Sequence, residues 1–250
     1  MQLDPKAVRQ VLERVGVKHL YHANTVATAM TFLEVGGLLS RGEVRRRGHY
    51  QTPQASDRVD EKFDVIDDVF VDGIDIHSRG RTRNNYGPVL FVLTLALLEW
   101  DRLPPLWITR KNPIGWREGQ KDSLRYYRTV EEFAAAYKFG DYFQLLTLRR
   151  ATDPIPLHFI DHIELDDPKR VLKKSEMAYF VAARATLAEA AGKLPDLAIE
   201  SHRCPASCNC EASYADVTEE EMKRLFAPRG LSTPHAEGQR PMTSTSTQAV

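Results

Sequence analysis

At 250 residues with 34 basic and 34 acidic side chains, the chain has no net formal charge, which removes global electrostatics as an argument for a nucleic-acid or membrane partner. Hydrophobic residues make up 42% and charged residues 27%, and the longest apolar run, 88–98, is too short for a bilayer span, so a globular domain is expected. The opening MQLDPKAVRQ has no apolar leader core, and the three cysteines, crowded into 204–210, do not read as a disulfide framework; the expected location is a reducing cytoplasm.

Asp4 before Pro5 is a helix N-cap followed by a first-turn proline, and Val8, Val11, Leu12 and Val15 share one face, so a helix is predicted over 4–15. A short strand follows at 17–22. Asn24 or Thr25 caps the next helix, which runs through Ala27, Met30 and Leu33 until Gly36 and Gly37 stop it. The arginine-rich stretch 41–62 has few apolar anchors and reads as a loop. Residues 64–75 mix carboxylates with Val65, Ile66, Val69, Phe70 and Val71, and fit a short helix or strands.

A basic loop at 77–85 leads into a central strand over 89–98, with another strand at 106–109. Residues 110–128 form a long polar connection holding Trp116, Tyr126 and Tyr127; such connections in compact domains are usually functional. Thr129 and Glu132 form a capping box for a helix at 130–137, before strands at 142–148 and 160–165. Residues 168–190 are helix-rich. Thr218 with Glu221 opens a short helix to Phe226, and 228–250 has the Pro, Ser, Thr and Gly content of a disordered tail.

Two local patterns suggest chemistry. His202, Cys204, Cys208 and Cys210 place four soft ligands within nine residues, the number a tetrahedral zinc site takes; free thiols in a reducing cytosol are the alternative. Arginines also cluster at 41–47 and 79–83, and lysines and arginines at 111–128. If these converge they form a basic patch despite overall neutrality.

The segment Leu20-Tyr-His-Ala-Asn-Thr, continuing to Phe32-Leu-Glu-Val-Gly-Gly-Leu-Leu-Ser-Arg41, resembles the opening of the DarT-type nucleic-acid ADP-ribosyltransferases. Asn85-Tyr-Gly-Pro-Val-Leu-Phe-Val92 is similar to that family's Tyr-x-Pro core strand, and 142–147 with 155–163 to its C-terminal strand pair. These pieces occur in family order over roughly 17–168. The resemblance implies an α+β fold: a split β-sandwich with flanking helices over 1–168, followed by a helical, Cys-rich appendage at 169–227. It also implies NAD as co-substrate, a base in single-stranded DNA or RNA as acceptor, and a toxin or anti-phage role with an antitoxin protein as partner.

By the same resemblance His22 bonds the NAD ribose, Asn24 and Thr25 add polar contacts to the cofactor, and Tyr86 stacks on nicotinamide. Arg79 or Arg81 meets phosphate or acceptor, a task suited to a planar guanidinium. Trp116, Tyr126 and Tyr127 would stack on bases, with Lys111, Arg117, Lys121 and Arg125 on phosphates. The family's catalytic glutamate falls on Gln144, which carries no charge and accepts no proton. Asp141 lies three residues earlier, an offset that faces the other side of a strand. Catalysis without a carboxylate, an acid from elsewhere, and an inactive NAD- or nucleic-acid-binding module all follow as readings. A metal-dependent hydrolase using Asp67, Asp68, Asp72 and Asp75 with His77 is a separate one.

Overall fold

The Asp4 carboxylate accepts from the backbone N–H groups of Lys6 and Ala7 and starts α1 (Pro5–Arg14), which buries Val8, Val11 and Leu12. The structure is a computed structural model that describes residues 1–140, 143–172, 176–192 and 196–229. Asp141, Tyr142 and nearly all of the 228–250 tail lie outside the described residues.

Strand β1 (His19–Asn24) runs into α2 (Val26–Val35). Thr25, not Asn24, is the α2 cap, and Gly36 ends the helix in the left-handed region at φ 81°. Gly37 opens β2 (Gly37–Leu38) against the backbone of Ile155. A Cβ on Gly37 would sit 2.5 Å from the Ile155 carbonyl oxygen, so this close approach requires glycine.

The expected loop at 41–62 instead contains α3 (Arg41–Arg46) and α4 (Asp57–Lys62). Charge rather than apolar periodicity holds both. Ser40 caps α3, Glu43 pairs with Arg46 and Arg47, Arg41 pairs with Asp57, and Arg45 pairs with Glu61. The first arginine cluster is thereby neutralised by carboxylates. Residues 64–75 resolve into β3 (Val69–Val71), and the basic loop at 77–85 begins with one turn of helix, α5 (Ile76–Arg79), capped by Asp75.

The apolar run at 89–98 divides into β4 (Val89–Thr94) and a 3-10 turn. Next come β5 (Leu106–Ile108), α6 (Asp122–Arg125), α7 (Val130–Ala136) and β6 (Leu146–Leu148). Gln144 therefore precedes its strand rather than lying within it. The chain continues through β7 (Ile155–Pro156), β8 (Ile160–Leu165), α8 (Tyr179–Ala190), β9 (Ile199–Ser201), α9 (Cys210–Ala215) and α10 (Glu219–Phe226).

The strands form sheets in the orders β1-β4-β8-β9 and β3-β6-β5, with β2-β7 as a small pair. β4 is buried along almost its whole length because it sits between β1 and β8. The two larger sheets are joined by an antiparallel bridge, where Tyr21 and Asp72 exchange backbone hydrogen bonds of 2.8 and 2.9 Å. The class is α+β. The main apolar core spans both sheets and the C-terminal helices: β9 extends the first sheet, and α8 and α10 pack on α2. Among the described residues no helix is long and apolar enough to cross a membrane.

Candidate active site

His22 lies where the sheets part. On β1 it pairs in register with Phe91 of β4, and its ring Nδ1 donates to the Phe70 carbonyl at 2.8 Å. That bond fixes the tautomer and leaves Nε2 as an acceptor. Nε2 is buried and finds no hydrogen-bond partner among the described residues. Burial, reinforced by the Arg41 charge, holds the His22 pKa below its ordinary value against the opposing pull of the Phe70 carbonyl, so the ring is neutral at neutral pH.

The next two residues shape the entry to α2. Asn24 Oδ1 accepts from the Thr25 N–H at 3.0 Å. The Thr25 hydroxyl is enclosed, accepting from the Thr28 N–H and lying 2.7 Å from the Thr52 hydroxyl. Thr25 thus builds the helix start from within the protein. Gly87 lies against this junction with φ 149°, and a Cβ there would fall 2.2 Å from the backbone C and O of Asn24.

Tyr86 follows from that approach. It is 43% exposed, its N–H bonds Asn84, and its carbonyl accepts from Gln54. Its phenol is raised above the usual range by desolvation, then by the charges of Asp60 and Asp72. Asp60, on α4, is itself pushed up to about 6 by burial, against the opposing Ser56 hydrogen bond and Arg41 charge. Arg41 is anchored on Asp57 and the Thr52 carbonyl. His22, Arg41, Asp60 and Tyr86 therefore belong to one electrostatic neighbourhood. Sequence reasoning does not single out Arg41 and Asp60 as site residues, although Ser40 with Glu43 is a capping-box spacing that marks α3.

The remaining expected residues lie on the 79–83 loop and just before β6. Arg79 and Arg81 are exposed, and Arg81 adopts φ 55°. Arg83 reaches inward, 5.9 Å from the Tyr214 ring. Gln144 is buried, its amide donating to the Tyr127 hydroxyl at 2.6 Å and the Ala136 carbonyl at 3.3 Å, while Oε1 finds no partner among the described residues.

Trp116, Tyr126 and Tyr127 do not form a base-stacking platform, because all three are buried. Arg149 lies 4.9 Å from the Trp107 ring and bonds both the Tyr126 hydroxyl and Asp68. Arg125 packs on Phe63 and Trp116 rather than projecting outward. The acidic run is likewise dispersed: Asp67 pairs with Arg46, Asp68 with Arg149, and Asp75 with His77 and His202.

Among the solved structures that this chain resembles are two of DarT from Thermus sp. 2.9, one in complex with ADP-ribosylated ssDNA and one with carba-NAD+. The first is 13% identical, covers 74% of this chain and 94% of that chain, and has a TM-score of 0.46. The second is 13% identical, covers 75% and 96%, and has a TM-score of 0.42. No protein-family model matches the chain, and no curated protein matches it in sequence.

A second buried polar group sits beside the 79–83 arginine loop. His77 bonds Asp75 at 2.9 Å and Asp166 at 3.2 Å, and Tyr214 donates to Asp166 at 2.5 Å. Burial opposes the His77 charge, but the hydrogen bonds to Asp166 and Asp75 prevail and push its pKa up to about 10. His202 stacks on His77 with ring centroids 4.0 Å apart and lies beside Cys204, which also groups with Cys208 and Cys210.

Proposed function

We propose that this protein is an NAD-dependent ADP-ribosyltransferase that modifies a base in single-stranded DNA or RNA. In this reading it acts in the cytoplasm as a toxin or anti-phage effector restrained by an antitoxin protein. His22 carries the reading: a neutral imidazole, locked on the Phe70 carbonyl, with an open acceptor nitrogen just before the N-terminus of α2. The ordered resemblance of residues 20–41 supports NAD as the occupant. His22 Nε2 accepts a ribose hydroxyl, Asn24 and Thr25 hold the α2 entry in place, and Tyr86 packs against nicotinamide. The first-turn amides of α2, with Arg79 or Arg81, take the diphosphate.

A base nitrogen then attacks ribose C1′ as the bond from C1′ to nicotinamide breaks, its electron pair leaving with nicotinamide. The proton lost from the base needs an acceptor. Gln144 cannot serve, and its amide is already committed inside the fold. Asp60 fits the task, since a carboxyl with a pKa of about 6 is largely ionised at neutral pH yet basic enough to take a proton.

Mass spectrometry of oligonucleotides incubated with the protein and NAD tests the reading. A covalent ADP-ribose adduct is expected on DNA or RNA, and His22→Ala abolishes it. Label only on protein, or none on any nucleic acid, overturns it. The burial of Gln144 at the family's acid position favours a second reading, a binding module without turnover. NAD binding by calorimetry with no adduct, and no growth defect on expression, selects that reading.

A further inference from the structure

Residues 202–210 fold back on themselves. The sulfur atoms of Cys204, Cys208 and Cys210 all lie within 4.8 Å of one another, with Cys204 and Cys210 3.1 Å apart. A turn in which the Cys208 N–H bonds the Pro205 carbonyl at 2.8 Å brings the thiols together. His202 Nδ1 lies 3.2 Å from the Cys204 sulfur.

The His202 side chain is only 3% exposed, and its Nε2 faces Asp75 Oδ2 at 3.1 Å and Glu164 Oε2 at 3.2 Å. Carboxylates on that nitrogen fix the proton on Nε2 and leave the Nδ1 lone pair directed at Cys204, the thiol shared with the Cys208 and Cys210 group. Metal-ligating histidines are held in this way. His77 completes a second close grouping with His202 and Cys204, but both of its ring nitrogens are bonded to carboxylates and neither has a lone pair to give.

We propose that Cys204, Cys208, Cys210 and His202 Nδ1 bind one zinc ion in tetrahedral geometry, and that the ion clamps the arginine loop at 79–83 to the C-terminal segment. Three thiolates and an imidazole are a preferred zinc donor set. Three contacts link the cluster to the loop: the Asn209 N–H donates to the Arg81 carbonyl at 2.8 Å, the hydroxyls of Thr82 and Ser213 are 3.0 Å apart, and Arg83 lies over Tyr214.

The test reads metal rather than turnover, so it is separate from the transferase assay. Full-length protein purified under reducing conditions without chelator is expected to hold about one zinc per chain by atomic emission. Cobalt exchanged for zinc is expected to give thiolate charge-transfer bands and the intense visible absorption of a tetrahedral site. Cys208→Ser loses most of the metal, whereas Glu164→Gln weakens zinc binding about tenfold or more while keeping the cobalt spectrum. Trypsin cleavage at 79–83 accelerates once the metal is removed. Metal-free protein lacking the cobalt spectrum, or a disulfide between Cys204 and Cys210 after reducing purification, overturns the site. Zinc content unchanged in both Cys208→Ser and His202→Ala overturns this ligand set, and cleavage indifferent to metal overturns the clamp.

Discussion

Replacing Gly87 by alanine tests whether the junction between β1 and α2 is as tightly built as the geometry requires. The added Cβ would lie 2.2 Å from the backbone C and O of Asn24 and 2.4 Å from the Thr25 nitrogen, where ordinary contact begins near 3.4 Å. An overlap above 1 Å falls on backbone, which cannot rotate aside as a side chain can. Overpacking of this kind costs about 2 kcal/mol, and φ 149° adds about 1 kcal/mol of strain for a residue with a Cβ. A loss of about 3 kcal/mol lowers the melting temperature by about 6–12 °C in a chain of this size. Gly115 is the control, since nothing lies within 4 Å of its Cβ position. Thermal unfolding followed by circular dichroism, with and without NAD, separates the two variants. Gly87→Ala should melt early and lose NAD protection, because the displaced Asn24 carries the α2 entry with it. Equal midpoints for Gly87→Ala and Gly115→Ala would refute the reasoning.

Three further outcomes are expected. Asp60→Asn removes a carboxyl whose folded pKa, about 6, is raised above an unfolded value of about 4. Native Asp60 therefore favours folding below about pH 4, and that contribution is lost as pH rises through about 6. The variant should be more stable than wild type at pH 8 and lose that advantage at pH 4, while transferase activity disappears throughout; equal stability gains at both pH values would sink the assignment. His22→Ala should lower NAD affinity by about 5- to 150-fold by calorimetry, since a hydrogen bond lost at a buried acceptor is worth about 1–3 kcal/mol. Because folding depresses the His22 pKa, its contribution to stability is present above about pH 6.5 and lost on acidification through the lower folded value, a loss the variant should not show in denaturant melts. Arg149→Ala should destabilise by about 3 kcal/mol at pH 8 by leaving Asp68 buried without its ion pair. Burial outweighs Arg149 and holds Asp68 at about 7, so the loss should shrink by pH 5, where Asp68 is protonated in either protein. A pH-independent loss in urea melts would contradict this.

The features legible in the sequence are those set by neighbours within one turn. Asp4, Thr25, Thr129 and Thr218 all cap helices through their own side chains. β4 declares itself by an unbroken apolar run, as a strand covered on both faces does. The helices α3 and α4 escape a reading by periodicity because ion pairs hold them, and Arg41 reaches Asp57 sixteen positions away. The burial of Trp116 and Tyr126 depends on packing with Phe63, Trp107 and Arg149, from well outside their own segment. β9, three residues long and paired in parallel with β8, is too short to announce itself by periodicity.

That short strand has a practical consequence. β9 completes the first sheet, while α8 and α10 cover α2, so the C-terminal third is part of the body rather than cargo attached to it. A polypeptide ending at residue 168 would expose the edge of β8 and a bare apolar helix face, inviting aggregation. A chain cut between β8 and α8 should instead stay assembled as two pieces, because sheet pairing and helix packing both cross the cut. The same division suits fragment complementation: two halves, expressed apart, would regain their fold only on meeting.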